Sequence, residues 1–192
     1  MKKRLLLTLL LCLTAQCTLW ANEPDSLYLF SYASTRNGGR DGLQLAYSYD
    51  GKQWKPIGGT YSFLKSDFGT WGAQKRMLTP SLLQTPQGQW VCLFSLNETV
   101  NAFAVAFSQD LLHWLPQNYY YVEAPACRDI TVTPQEEAGK YLLAFHDNGG
   151  KYYTVETSDF KHFGRAVEVQ HTPQCSRTAQ AALQGTLLSG EI

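Results

Sequence analysis

Asp129 is the carboxylate of this sequence whose position is best suited to chemistry. It stands next to Arg128 at the start of a predicted strand, 128–133, where a side chain can project from a fixed backbone. An adjacent guanidinium favours the ionised form of a carboxylate, and an ionised Asp suits the binding of hydroxyl groups or the work of a general base. A purely structural ion pair between the two residues is the alternative.

His146 and Asp147 follow the next predicted strand, 141–145. A histidine beside a carboxylate could contact a ligand at this end of the strand. The run 146–150 has the sequence His-Asp-Asn-Gly-Gly, which is also typical of a hairpin turn. We favour the turn for the run and keep His146 as a candidate contact.

Three further aspartates recur roughly every 50 to 60 residues, each after an alternating strand pattern and four residues before a large aromatic side chain. They are Asp50, Asp110 and Asp159, followed by Trp54, Trp114 and Phe163. An Asp carboxylate can accept hydrogen bonds from backbone N–H groups two residues on, and the aromatic ring can cover the end of the hairpin. The pattern therefore predicts structural aspartates in outer hairpin turns, and not a catalytic cluster.

The repeated unit of strand, turn and aromatic-led strand predicts an all-β fold, a β-propeller of four-stranded antiparallel blades. About three blades are present, at about 26–62, 77–123 and 128–170, followed by a tail, 171–192. The tail contains a weakly helical stretch, 178–183, and a short strand pattern, 185–188. Because propellers usually have four to eight blades, we expect a partial propeller, and a partner chain that completes the ring is the alternative.

Residues 1–21 have the layout of a secretory signal peptide, with a basic start, an apolar run and a small residue, Ala21, at the expected cleavage site. We expect a mature domain, 22–192, in the periplasm or outside the cell. Lipid attachment through Cys17 is the alternative, disfavoured by Gln16 before it. The apolar run is too short to span a bilayer, and no second run of membrane length follows.

Charge and cysteine content exclude several classes of function. The 16 basic residues equal the 16 acidic ones, and three of the basic residues lie in the leader, so the mature part is slightly acidic. Nucleic acid is therefore not expected as a partner. The cysteine spacing matches no zinc site. Cys92 lies on a strand pattern and is predicted to be buried, and a Cys127–Cys175 disulfide is conceivable in an oxidising compartment.

The repeats resemble those of glycoside hydrolase family 43, to which families 32 and 68 are related. Leu78–Leu83, with the sequence Leu-Thr-Pro-Ser-Leu-Leu, is similar to the Arg-Asp-Pro-Ser signature of the second blade in that family. Ser108–Trp114 is similar to its Ser-x-Asp-Leu-x-His-Trp turn, and Lys140–Phe145 with Tyr152-Tyr153 is similar to its third blade. The resemblance spans about 27–170 and implies a five-bladed propeller, of which about three blades are present.

The resemblance implies a glycosidase that hydrolyses arabinosyl, xylosyl or galactosyl linkages, with an oligo- or polysaccharide as its ligand. Inverting hydrolysis needs one protonated and one ionised carboxyl group on either side of the sugar. The family's second-blade Asp position holds Thr79 here, its third-blade acid position holds Asp129, and Asp25 is the carboxylate adjacent to the first predicted strand of the first blade. Asp129 is therefore the candidate catalytic residue, and a non-catalytic glycan-binding module or an inactive fragment is the alternative.

Five other residues are candidates for contact with the sugar. Trp71, in the long loop 58–74, could stack on a sugar ring, and Arg76 could donate hydrogen bonds beside the second-blade strand. The remaining candidates are Thr79, Arg128 and His146. The resemblance implies that a calcium ion could bind on the propeller axis. The sequence shows no dedicated cluster of calcium ligands, and no cofactor is expected.

Overall fold

The computed structural model describes residues 26–137, 139–170 and 185–191, with the backbone alone for Ser26 and for 185–191. Every regular element in this part of the chain is a β-strand. In chain order they are β1 (Ser26–Ala33), β2 (Leu43–Ser48), β3 (Lys55–Ile57), β4 (Leu78–Gln84), β5 (Trp90–Ser95), β6 (Ala102–Ser108), β7 (Asn118–Tyr121), β8 (Arg128–Pro134), β9 (Tyr141–His146), β10 (Tyr152–Thr157), β11 (Val167–Val169) and β12 (Gly185–Glu191).

The strands form three four-stranded sheets, ordered β12-β1-β2-β3, β4-β5-β6-β7 and β8-β9-β10-β11. We call them the first, second and third blades. Neighbouring strands are antiparallel throughout. The predicted all-β fold of a partial propeller with four-stranded antiparallel blades is confirmed. Among the described residues, no helix is long and apolar enough to cross a membrane.

The innermost strand of the first blade comes from the tail of the sequence. β12 pairs with β1 from Ser26↔Glu191 to Tyr32↔Gly185, so the strand predicted at 185–188 is confirmed. β1 therefore lies between β12 and β2. The leader 1–21, the stretch 178–183 and Cys175 lie outside the described residues.

The second blade is packed on both faces, because alternate side chains of its central strands point to opposite sides. On β5, Val91 and Leu93 belong to an apolar cluster shared with the third blade. Cys92 and Phe94 belong to a cluster shared with the first blade. All four are fully buried, so the predicted burial of Cys92 is confirmed, and this burial raises the pKa of its thiol.

The long loop 58–74 is fixed between the first two blades. Leu43 donates its backbone N–H to the carbonyl of Leu64 over 2.7 Å. The loop passes so close here that a Cβ on Gly42 would lie 2.1 Å from the carbonyl oxygen of Leu64. On the other side, the Gln117 amide donates to the carbonyl of Lys65 over 2.6 Å. The loop is therefore an anchored bridge between blades, whose tip carries Trp71.

Candidate functional site

The three repeated aspartates build the outer hairpin turns. Asp50 Oδ1 accepts the backbone N–H groups of Lys52 and Gln53, each over 2.8 Å. Asp110 and Asp159 accept the equivalent N–H groups over the same distance. The N–H groups of Gln53 and Lys52 lower the pKa of Asp50 to about 2. These carboxylates are occupied by their own turns, and the structural interpretation is confirmed.

The inner strands β4 and β8 share an irregularity that places two of the candidate residues. In β4 the register shifts between Leu78 and Ser81, and in β8 it shifts between Arg128 and Thr131. In each blade two residues face one residue of the neighbouring strand, which defines a β-bulge. The first bulged residues are Thr79 and Asp129, and their φ angles are 46° and 51°. Residues other than glycine rarely adopt this left-handed backbone conformation. Thr79 and Asp129 are therefore equivalent positions of two blades.

Asp129 is hydrogen-bonded to His146. Asp129 Oδ2 lies 2.8 Å from His146 Nε2, and the two side chains are 34% and 27% exposed. The other ring nitrogen, Nδ1, lies 2.9 Å from the carbonyl oxygen of Asp147. Because a carbonyl can only accept, Nδ1 must carry a proton. A hydrogen bond between Nε2 and Oδ2 then requires a proton on one of these two atoms.

Arg128 does not form an ion pair with Asp129, in contrast to the alternative considered from the sequence. Its Nη1 donates to Asn148 Oδ1 over 3.2 Å, and Asn148 Nδ2 donates to the carbonyl of Glu98 over 2.7 Å. Glu98 Oε2 accepts from Arg76 Nη1 over 2.6 Å. These contacts join the second and third blades and bring Arg76 and Arg128 into one network beside Asp129.

Asp147 is a turn residue, as favoured from the sequence of 146–150. Its carboxylate is buried and accepts the backbone N–H groups of Gly149 and Lys151 over 2.8 and 3.0 Å. Burial acts to raise the pKa of Asp147, but these N–H groups outweigh it, and the pKa lies below its ordinary value. Through the carbonyl of Asp147, the turn thus holds the imidazole of His146 at Nδ1.

Thr79 and Trp71 have no hydrogen bond to this network among the described residues. Thr79 Oγ1 is buried and has no hydrogen-bond partner in this part of the chain. Trp71 is 73% exposed, and its backbone N–H and carbonyl contact Gln74. Their roles in sugar contact stay predictions.

The tail supplies an inner strand, β12, that is equivalent to β4 of the second blade. Ser189 lies opposite Tyr28 as Gln84 lies opposite Trp90, which aligns 185–188 (Gly-Thr-Leu-Leu) with 80–83 (Pro-Ser-Leu-Leu). The repeated Leu-Leu pair is the sequence signal that could have identified this equivalence.

The group assembled around Asp129 can exchange hydrogen bonds with a polar ligand. It offers one carboxyl group, one imidazole and one guanidinium, all partly exposed. In the described part of the chain, no group of three His, Cys, Asp or Glu side chains could hold a metal ion.

Solved structures similar to this chain are glycoside hydrolases. A glycosyl hydrolase from Bacteroides ovatus aligns with a TM-score of 0.48 and 17% identity, over 75% of this chain and 48% of that one. An exo-β-1,3-galactanase from Clostridium thermocellum aligns with a TM-score of 0.39 and 11% identity, over 77% of this chain and 47% of that one. The chain thus spans about half the length of these structures. No protein-family model matches the sequence. No curated protein matches it either.

Proposed function

We propose that this chain is a propeller of the glycoside hydrolase family 43 type, whose site at Asp129 and His146 binds a sugar unit of an oligo- or polysaccharide. The observation that carries the proposal is the bulge of β8, which presents a partly exposed carboxyl group already bonded to an imidazole. Carboxylate and imidazole groups bind sugar hydroxyls by accepting and donating hydrogen bonds. A fixed bulge keeps both groups in place before the ligand arrives.

Binding is favoured over hydrolysis by the residues at the equivalent positions. Hydrolysis needs two carboxyl groups around the sugar. Thr79, at the equivalent bulge position of the second blade, cannot ionise. Of the two matched positions in the described residues, Asp129 alone supplies a carboxyl group.

The binding proposal is tested by calorimetric titration with arabinose-, xylose- and galactose-containing oligosaccharides. We expect one sugar class to bind and Asp129→Asn to weaken its binding about tenfold, since a hydrogen bond to a charged group is lost. Glu168→Gln makes the same chemical change on the exposed strand β11, where Glu168 pairs with Lys151, and should bind like the unchanged protein. Equal affinity of the Asp129→Asn and unchanged proteins would overturn the proposal.

Hydrolysis is the second candidate, and the hydrogen bond between Asp129 and His146 favours it, because that bond requires a proton on one of the two groups. A protonated Asp129 could donate to the oxygen of a departing group, as the general acid of a glycosidase does. The test compares aryl glycosides with good and poor leaving groups. If Asp129 is the acid, Asp129→Asn should slow the hydrolysis of glycosides with poor leaving groups about 100-fold. The hydrolysis of glycosides with good leaving groups should be unchanged, because these groups depart without protonation. A protein that cleaves none of them has no such activity.

The leader 1–21 supports export as part of this proposal, since an exported protein can bind polysaccharides that do not enter the cytoplasm. Expression in a bacterial host followed by fractionation and N-terminal sequencing checks this. We expect the protein in the periplasm or medium, beginning at Asn22. A cytoplasmic chain that retains Met1 would contradict export.

A further inference from the structure

Arg128 is a partly buried cation without a carboxylate partner among the described residues. Its recorded hydrogen bond is to the neutral amide of Asn148, although a guanidinium carries five N–H donors. Glu98, whose carboxylate Arg128 influences electrostatically, has its Oε2 on Arg76 at 2.6 Å. Two arginines thus share one carboxylate, and a positive charge is left over beside Asp129.

The guanidinium of Arg128 is oriented before any ligand binds. Asn148, which holds it, is itself held by the carbonyl of Glu98 in the second blade over 2.7 Å. A long side chain fixed in this way has already lost part of the rotamer freedom that binding would otherwise remove. The planar fork of Arg matches a carboxylate, with which it can form two parallel hydrogen bonds.

Arg128 and the proposed sugar site occupy the same place on the blade. Arg128 is the register partner of His146 across β8 and β9, and His146 contacts Asp129. Guanidinium, imidazole and carboxyl group therefore come from neighbouring positions on two paired strands. A sugar bonded to Asp129 and His146 brings its own substituents, or those of the next sugar, toward Arg128.

We propose that the glycan bound at this site carries a carboxylate that pairs with Arg128, so that the ligand class is an oligosaccharide containing uronic acid. The inference rests on the proposed sugar-binding function and names the ligand class of that site. The ring hydroxyls bind at Asp129 and His146, and the carboxylate occupies the donors of Arg128 that the described residues leave unused.

The test is calorimetric titration of the purified protein with galacturonic acid and galactose oligosaccharides of the same length and linkage. The two ligands differ only in a carboxylate in place of a hydroxymethyl group. We expect the galacturonate oligomer to bind about tenfold more tightly, since a charge-assisted pair replaces a neutral contact. The advantage should shrink at high salt, because the site is partly exposed.

Arg128→Gln should remove this preference, because it should lower the affinity for the galacturonate oligomer about tenfold more than the affinity for the neutral oligomer. Arg128→Lys keeps the charge without the fork and should retain part of the preference. Arg165→Gln, which removes an exposed arginine paired with Glu123, is the matched control and should bind both oligomers like the unchanged protein.

The outcomes separate this inference from the function on which it rests. Equal affinity for the two oligomers, or an equal loss for both in Arg128→Gln, overturns the inference and leaves sugar binding intact. Preference for a sulfated oligosaccharide over the galacturonate overturns the carboxylate assignment. Binding of neither charged nor neutral oligosaccharides overturns both proposals.

Discussion

The turn aspartates show how a repeated residue can mark structure when its chemistry would suggest a site. Each of the three accepts two backbone N–H groups of its own turn. This role was predictable because it is local: the donors lie two and three residues further along the chain. The same locality makes the pH dependence of these turns predictable.

Asp50→Asn should lower the melting temperature by a few degrees at pH 7, because the amide oxygen accepts the two N–H groups less strongly than a carboxylate. The folded-state pKa of Asp50 is lowered to about 2, against about 3.9 in an unfolded chain. A lowered pKa stabilises the fold above the unfolded value, and this stabilisation is lost as the pH falls toward 2.

Melting curves from pH 7 down to pH 2 check this. The gap between the two proteins should narrow below about pH 4. Asp41→Asn alters a carboxylate that accepts from the Asn37 side chain and serves as the comparison. A gap that stays constant with pH would refute the assigned cause.

The contact between Asp129 and His146 gives a second prediction at this scale. In Asp129→Asn, the side-chain amide can donate to Nε2, and the imidazole should then be neutral with its proton on Nδ1, held by the carbonyl of Asp147. Nitrogen-15 spectra of the ring report which nitrogen carries the proton. A proton on Nε2 in this variant would contradict the described geometry.

At the scale of elements, the β-bulge of β8 produces the contact between Asp129 and His146, which the sequence pattern could not predict. Strand patterns located β8 and β9, but they do not reveal that two residues of β8 face one residue of β9. That extra residue rotates Asp129 into contact with His146, 17 positions along the chain. The candidate residues were therefore identifiable one by one, whereas their pairing depends on a register shift that leaves no periodic signal.

The turn after each aspartate gives a prediction for an element. Gly51, Leu111 and Phe160 occupy one turn position with φ of 68°, 66° and 57°. A Cβ on Gly51 would lie 3.9 Å from the Tyr28 ring, so space is available and only the backbone conformation opposes a side chain. Gly51→Ala should therefore cost about 1 kcal/mol.

The free energies of unfolding of Gly51→Ala and Gly72→Ala, measured in urea, are compared with that of the unchanged protein. A Cβ on Gly72 would meet nothing within 4 Å, and its φ is outside the left-handed region. Gly72→Ala should leave the free energy of unfolding unchanged or slightly raised. Equal effects of the two changes would show that the left-handed turn is not what Gly51 provides.

At the scale of the whole molecule, Phe163, the aromatic residue that ends the third of these turns, also joins two blades. Phe163 lies 4.3 Å, between ring centroids, from Tyr120 of the second blade, and the Tyr120 hydroxyl donates to the carbonyl of Lys161 over 3.1 Å. The sequence predicted that Phe163 covers its own hairpin. It could not predict this partner, because contacts between blades depend on how the blades are arranged.

A double-mutant cycle of Phe163→Ala and Tyr120→Ala measures this contact between blades. We expect a coupling of about 1 kcal/mol in the free energy of unfolding, as for aromatic pairs. The cycle of Phe163→Ala with Phe63→Ala is the control, since Phe63 packs in the cluster of the first two blades, and its two effects should add. A coupling near zero for the first cycle would show that the ring pair does not join the blades energetically.

The pairing of β12 with β1 sets an order of events during synthesis on the ribosome. The second and third blades consist of strands that follow one another in the chain, so each can form as soon as it emerges. The first blade stays a three-stranded sheet with an open edge at β1 until Gly185–Glu191 emerges. Closing a loop of this length costs about 4 kcal/mol of chain entropy, which places this pairing late in folding. A nascent chain therefore carries an unprotected strand edge from the synthesis of β1 until that of β12, and that edge is where a chaperone would be needed.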